Sequence, residues 1–171
     1  ESAYLRLTTR RVDQALFPMP ETPEAEEKLR IQVVQGCYRL VDRRDDPDYR
    51  PGNVVNIFGS GGMAPSAMEA SHLLHEQGVL ANVFNVTGPG PLYHRFQQST
   101  VAATSGSGAL FLDDLLQAEE RSAPIVTVVD GHPHSLAWIG GALGAVTYPL
   151  GVADFGQSGT PSQLYQEYRI D

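Results

Sequence analysis

Hydrophobic and polar positions change their period several times along the 171 residues, and each change marks a predicted element. From Tyr4 to Arg10 apolar and polar residues alternate, the period of a strand with one solvated face. A proline-bearing loop, Phe17-Pro18-Met19-Pro20, follows. Thr22 is then placed to cap a helix, Pro23 suits its first position, and Glu24, Glu26 and Glu27 complement its positive amino end. Leu29, Val33, Cys37, Leu40 and Val41 recur at spacings of three and four, which carries the helical pattern to Val41 and predicts one buried stripe. Arg43-Arg44, set among Asp42, Asp45, Asp46 and Asp48, reads as a solvated loop spanning 42–51.

Beyond that loop a unit of apolar run, small-residue loop and helix repeats four times. The first is Val54–Phe58, a loop from Gly59 to Ala64, and a helix opened by Pro65 with Met63, Ala67, Ser71 and Leu74 on its inner side. The second is Val79–Val86, the loop Thr87-Gly88-Pro89-Gly90 and a short helix from Pro91; Thr104-Ser105-Gly106-Ser107-Gly108 then separates a further helical segment, Ala109 to Glu119. The third is Ile125–Val129, the loop Asp130-Gly131-His132 and a helix opened by Pro133. The fourth is Val146–Leu150, a loop to Gly159, and a last helix opened by the capping box Thr160-Pro161-Ser162-Gln163. This alternation predicts a single α/β domain of three layers, a mostly parallel sheet with helices on both faces. Right-handed crossovers bring the four strand-to-helix loops to one edge, where open α/β sheets meet ligands and partners. The amino-terminal strand lacks that context and is expected antiparallel at one side. Strand order does not follow from the pattern.

Composition agrees with a globular chain: 42% apolar and 19% charged residues. No apolar run reaches the ~20 residues that span a bilayer. A net charge of −8 with scattered Lys and Arg argues against nucleic acid or an anionic membrane as partner. One cysteine, Cys37, makes no internal disulfide and suits a reducing cytoplasm. The chain opens without a Met or a signal pattern and stops as a helix is ending, so it reads as a fragment of a longer polypeptide.

Several local patterns invite chemistry. Gly59-Ser60-Gly61-Gly62-Met63-Ala64 matches G-x-G-x-x-A, but the acidic residue that dinucleotide binding needs at the end of the next strand is missing from Asn85-Val86-Thr87. The alternative is a tight turn that lets another backbone approach. Asp130-Gly131-His132-Pro133-His134 resembles an H-x-H metal pair, yet a working site takes three or four ligands from several elements, and His72, His75 and His94 lie elsewhere in the chain. The plainer reading has His132 cap the helix and Asp130 bond loop amides, both at an interface. Gly156-Gln157-Ser158-Gly159 is one residue short of a nucleophile elbow. Cys37 and Trp138 read as core, Tyr165 and Tyr168 as the packing edge of the last helix.

The run from Pro124 through Asp130-Gly131-His132-Pro133 to Gly140 resembles the carboxy-terminal domain of the homodimeric pyruvate dehydrogenase decarboxylating component. So does Leu150–Thr160, with its Phe155-Gly156-Gln157-Ser158-Gly159-Thr160, followed by Leu164-Tyr165 and Arg169-Ile170-Asp171. Tyr4–Arg10 and Gly59–Pro65 are similar to the same domain's opening strand and first turn. The resemblance implies a transketolase C-terminal domain-like fold in a thiamine diphosphate enzyme that moves an acyl or two-carbon unit from a 2-keto acid or ketose. It implies a homodimer whose cofactor and Mg²⁺ lie between two other domains, with this one buttressing the dimer at the active-site entrance; an acyl-carrier or lipoyl protein is a further partner. That family's G-D-G…N-N motif for diphosphate and metal has no counterpart here, so the chain itself is expected to hold neither and to be inactive alone. Asp130, His132, Asp154 and Gln157 are the residues expected at the interface or channel, with no catalytic role. The loop Thr87–Pro91 departs from the family's usual serine- and acid-containing turn. Two rival readings remain: a docking module of a split transketolase-like complex, and an independent Rossmann-like nucleotide binder.

Overall fold

A computed structural model describes residues 11–104 and 111–168. The predicted strand at Tyr4–Arg10, the Ser105–Gly108 linker and the Arg169-Ile170-Asp171 terminus lie outside the described residues. The elements run α1 (Pro23–Val34), β1 (Tyr38–Val41), β2 (Val54–Ser60), α2 (Ala64–Glu76), β3 (Leu80–Val86), α3 (Pro89–Thr104), β4 (Ile125–Val128), α4 (His134–Leu143), β5 (Thr147–Leu150) and α5 (Pro161–Tyr168). They build a five-stranded sheet of order β1-β3-β2-β4-β5, parallel throughout except for β1, which pairs antiparallel with β3 at the edge. The four parallel strands run in one direction and therefore end on one edge. This is the mostly parallel α/β architecture predicted from the repeat.

The strands are buried because they alternate apolar contacts between two layers. On one face Phe58 stacks on Phe84 at 4.6 Å between ring centroids, and these rings meet Leu92 of α3 and Leu136 and Ile139 of α4. On the other, Ile57, Ala81 and Val83 pack against Ala67 of α2. Of the inner side predicted for α2, Ala67 and Ser71 are buried and Leu74 packs against that second cluster, while Met63 stands half-buried in the turn ahead of the helix. Thr22 Oγ1 caps α1 by accepting from the Ala25 N–H at 3.3 Å. At α5 the Thr160 N–H donates to Gln163 Oε1 at 3.0 Å, half of the expected capping box. Among the described residues no helix is long and apolar enough to cross a membrane.

Three elements differ from expectation. The first helix stops at Val34, because Gly36 takes φ +100°, a left-handed turn that ends a helix, and the chain re-enters as a strand. Leu40 and Val41 thus belong to the antiparallel edge strand, and Cys37 is buried just ahead of it. The predicted stripe is not buried on α1 either: Val33 is 39% exposed and Gln32 is the residue α1 buries. Next, α3 opens at Pro89 and runs 16 residues, since two prolines in a first turn cost no hydrogen bond. Last, residues 111–117 form turns rather than the helix expected to Glu119, with a 3-10 turn at Ala118–Glu120. Leu112, at φ 62°, breaks the helical path.

That turn delivers a group no pattern signalled. The Glu120 carboxylate is fully enclosed and accepts from Arg39 at 3.0 and 2.7 Å, from Asn82 at 3.0 Å, from the Tyr49 hydroxyl at 3.1 Å and from the Gln117 N–H at 2.8 Å. Its carbonyl accepts from Asn56 at 2.8 Å. Arg39 also lies over the Phe84 ring at 4.7 Å. Asn56 and Asn82 are the third residues of β2 and β3, so the network sits at the amino-terminal half of the sheet, away from the loop edge.

Candidate functional site

At the carboxyl edge the loops after β4 and β5 are built against each other. Val129 donates its N–H to Leu150 O at 3.2 Å, and Val152 donates to Gly131 O at 2.9 Å. The second bond is possible because position 151 is glycine: a Cβ there would lie 2.5 Å from Gly131 O and 3.2 Å from Pro133 N. The Asp130-Gly131-His132-Pro133 loop is further pinned from α4. His132 O accepts from the Ser135 N–H at 3.1 Å and from its hydroxyl at 2.9 Å, and the His134 N–H donates to His132 Nδ1 at 3.3 Å. The His132 ring thus caps the start of α4, as the plainer reading expected. Asp130 is exposed, and among the described residues its carboxylate bonds no loop amide, contrary to that reading.

Asp154 and Gln157 lie farther along the loop after β5, both exposed and without a hydrogen bond among the described residues. The structure joins the stems of the two loops, but among the described residues no hydrogen bond or ion pair links any two of the four predicted side chains. Between Asp154 and Gln157, Phe155 is 97% exposed, its carbonyl held by the Tyr168 hydroxyl at 2.8 Å. Alongside, β5 shows Tyr148 and Leu150, 58% and 52% exposed, on the same face as half-buried Val126 and Val128 of β4.

The neighbouring edge carries an aromatic group that pattern reading placed simply in the core. Trp138 stacks on Phe96 at 5.3 Å, meets Tyr93 edge-on at 5.1 Å and donates its indole N–H to Ser135 O at 3.0 Å. Tyr93 and Trp138 each follow a strand-end loop by about one helical turn, a spacing that could have linked them. The Thr87–Pro91 turn is tied to the end of α1: Gly36 O accepts from the Thr87 and Gly88 N–H groups, and the Thr87 hydroxyl donates to Val33 O at 2.6 Å.

The other candidates resolve differently. In the glycine turn, a Cβ on Gly59 would sit 3.2 Å from Ala67 Cβ, so this glycine serves close approach of α2 to β2. His132 and His134 face each other edge-on at 4.6 Å, but among the described residues no three His, Cys, Asp or Glu side chains group to hold a metal. His72 and His75 sit on α2 beside the acidic loop, where His75 Nε2 is 2.8 Å from Asp46 Oδ2 and Arg43 reaches His72 at 3.4 Å. Burial pushes the Cys37 thiol far up, so the thiolate a nucleophile requires does not form.

Fold and edge together define an open α/β domain with one antiparallel edge strand and a preassembled pair of strand-end loops. The same architecture occurs in transketolases. The chain is similar to a Pichia stipitis transketolase solved with sedoheptulose 7-phosphate, at 17% identity and TM-score 0.51 over 82% of this chain and 17% of that one. It is similar to a Leishmania mexicana transketolase at 18% identity and TM-score 0.54, covering 82% and 17%. A Campylobacter jejuni transketolase matches at 17% identity and TM-score 0.50, covering 80% and 17%. At these identities the likeness establishes the fold, and the chain spans only those small shares of the transketolases' length. No family model and no curated protein matches the chain.

Proposed function

We propose that this chain is the carboxy-terminal, structural domain of a thiamine diphosphate-dependent enzyme of the transketolase and pyruvate dehydrogenase type. That enzyme transfers an acyl or two-carbon unit from a ketose or a 2-keto acid. One observation carries the reading: the two runs that resemble the pyruvate dehydrogenase domain, around Asp130-Gly131-His132-Pro133 and Phe155-Gly156-Gln157-Ser158, lie on adjacent loops joined through Val152 and Gly131. In this reading Asp130, His132, Asp154 and Gln157 border the entrance to a site on the catalytic domains. The exposed apolar face of β5 with Phe155 packs on those domains or on a second subunit of a homodimer in a reducing cytoplasm.

The residues present do not fit the cofactor. Among the described residues no cluster can ligate its metal, and the first glycine of the turn that fits a diphosphate by pattern is taken up by close packing on Ala67. The ylid chemistry therefore belongs to other domains, and the groups of this chain position and shield. Calorimetry of the purified chain with thiamine diphosphate and Mg²⁺ tests the division: no heat of binding is expected up to millimolar cofactor. Micromolar binding would overturn it. The adjoining coding sequence, or that of a co-purifying subunit, should contain G-D-G…N-N.

A further inference from the structure

We infer that His132 is held as a fixed hydrogen-bond donor at the carboxyl edge, presenting Nε2–H to an oxygen acceptor, and serves neither as a metal ligand nor as a general base. A neutral imidazole carries one proton and one lone pair, and the position of one decides the other. Here the lone pair is at Nδ1, because that atom accepts from the His134 N–H at 3.3 Å. The proton is therefore on Nε2, the ring atom left for a partner. Binding a metal or taking a proton at Nε2 would require the proton to move to Nδ1, where it would confront the amide hydrogen of His134.

The backbone around the ring leaves it little freedom to escape this state. His132 O is bonded twice by Ser135, Pro133 sits at φ −59°, and Gly131 O is clamped by Val152 across the Gly151 contact. The His134 ring stands against the His132 ring at 4.6 Å and limits its rotation. The H-x-H spacing thus brings two imidazoles together without making a chelate. What meets His132 must offer an oxygen lone pair, as a carbonyl, carboxylate or phosphate does.

Two-bond ¹⁵N–¹H correlation spectra of the labelled chain, at a pH well above the ordinary imidazole range of ~6.5, read the tautomer directly. His132 should show an unprotonated Nδ1 and a protonated Nε2; the reverse pattern, or averaging between tautomers, would overturn the inference. Stoichiometric Zn²⁺ should leave the His132 ring signals in place, and their loss would equally overturn it. Two variants separate donor from cap. His132→Asn retains an acceptor near the Nδ1 position and should keep Tm within about 1 °C, whereas His132→Leu loses the cap and should lower it by about 2–4 °C. Equal Tm for the two would show that Nδ1 is not engaged, which removes the ground for a fixed donor.

Discussion

Asp42 and Asp46 show how single residues fasten the acidic loop. Partial burial pushes the Asp42 carboxyl up, but the hydrogen bonds from Arg44 and the nearby Arg39 charge outweigh it and hold the group below its ordinary value. Asp46 is held down by the Asp48 N–H and by His75. Both pKa values are lower folded than unfolded, so their stabilisation is complete above the unfolded value of ~3.9 and is lost as pH falls through the folded values. The double variant Asp42→Asn/Asp46→Asn should flatten the fall in urea midpoint between about pH 4 and pH 2. An unchanged acid slope would refute this assignment. Cys37 gives a second residue-scale expectation. Fully buried and with its thiol pushed up, it should react with a disulfide reagent only as fast as the protein opens, and denaturant should accelerate labelling in step with unfolding. Rapid labelling of the native chain would contradict that.

At the scale of elements, β5 is the last strand of the sheet among the described residues. Val146 O and Leu150 O face β4, where they accept from Ile125 and Val129, so the intervening odd residues turn their backbone groups to the free side. Pro149 stands there and removes one of the donors an added strand would need. Among the described residues no strand continues the sheet past β5, and what this edge offers is the side-chain face of Tyr148 and Leu150. Pro149→Thr should restore a pairing edge and increase concentration-dependent association in sedimentation over that of the parent chain; identical sedimentation would show that the edge is closed by other means. The strands themselves were legible because Val54–Phe58 and Ile125–Val129 are apolar runs bounded by glycine and proline. β1 was not, since Val33, Cys37, Leu40 and Val41 mimic a helical period across Gly36, whose left-handed turn outweighs spacing. The residues of the candidate loops were legible as strand ends; that Gly151 locks one loop to the next was not, because the contact depends on a missing Cβ.

At the scale of the whole domain, the polar anchors and the strand-end loops lie at opposite ends of the sheet. The Glu120 network ties the amino-terminal half together, while the carboxyl half leaves Phe155 exposed and the Tyr148 and Leu150 face of β5 half covered. For the proposed function this predicts a chain that folds but does not bind cofactor, the outcome calorimetry reads. The Arg39–Glu120 pair was invisible to any local pattern, since its partners stand 81 residues apart. That separation has a consequence for kinetics. The pair closes only after β3, β2 and the turn before β4 are in place, so it belongs late in folding. Glu120→Gln, which removes the buried carboxylate bonded to Arg39 and leaves that cation only the more distant, half-exposed Asp42 at 3.6 Å, should cost about 3 kcal/mol. Nearly all of it should appear as faster unfolding, roughly a hundredfold, with the refolding arm of the chevron little moved. A slowed refolding arm would place this salt bridge in the nucleus instead, and the edge strand β1 with it.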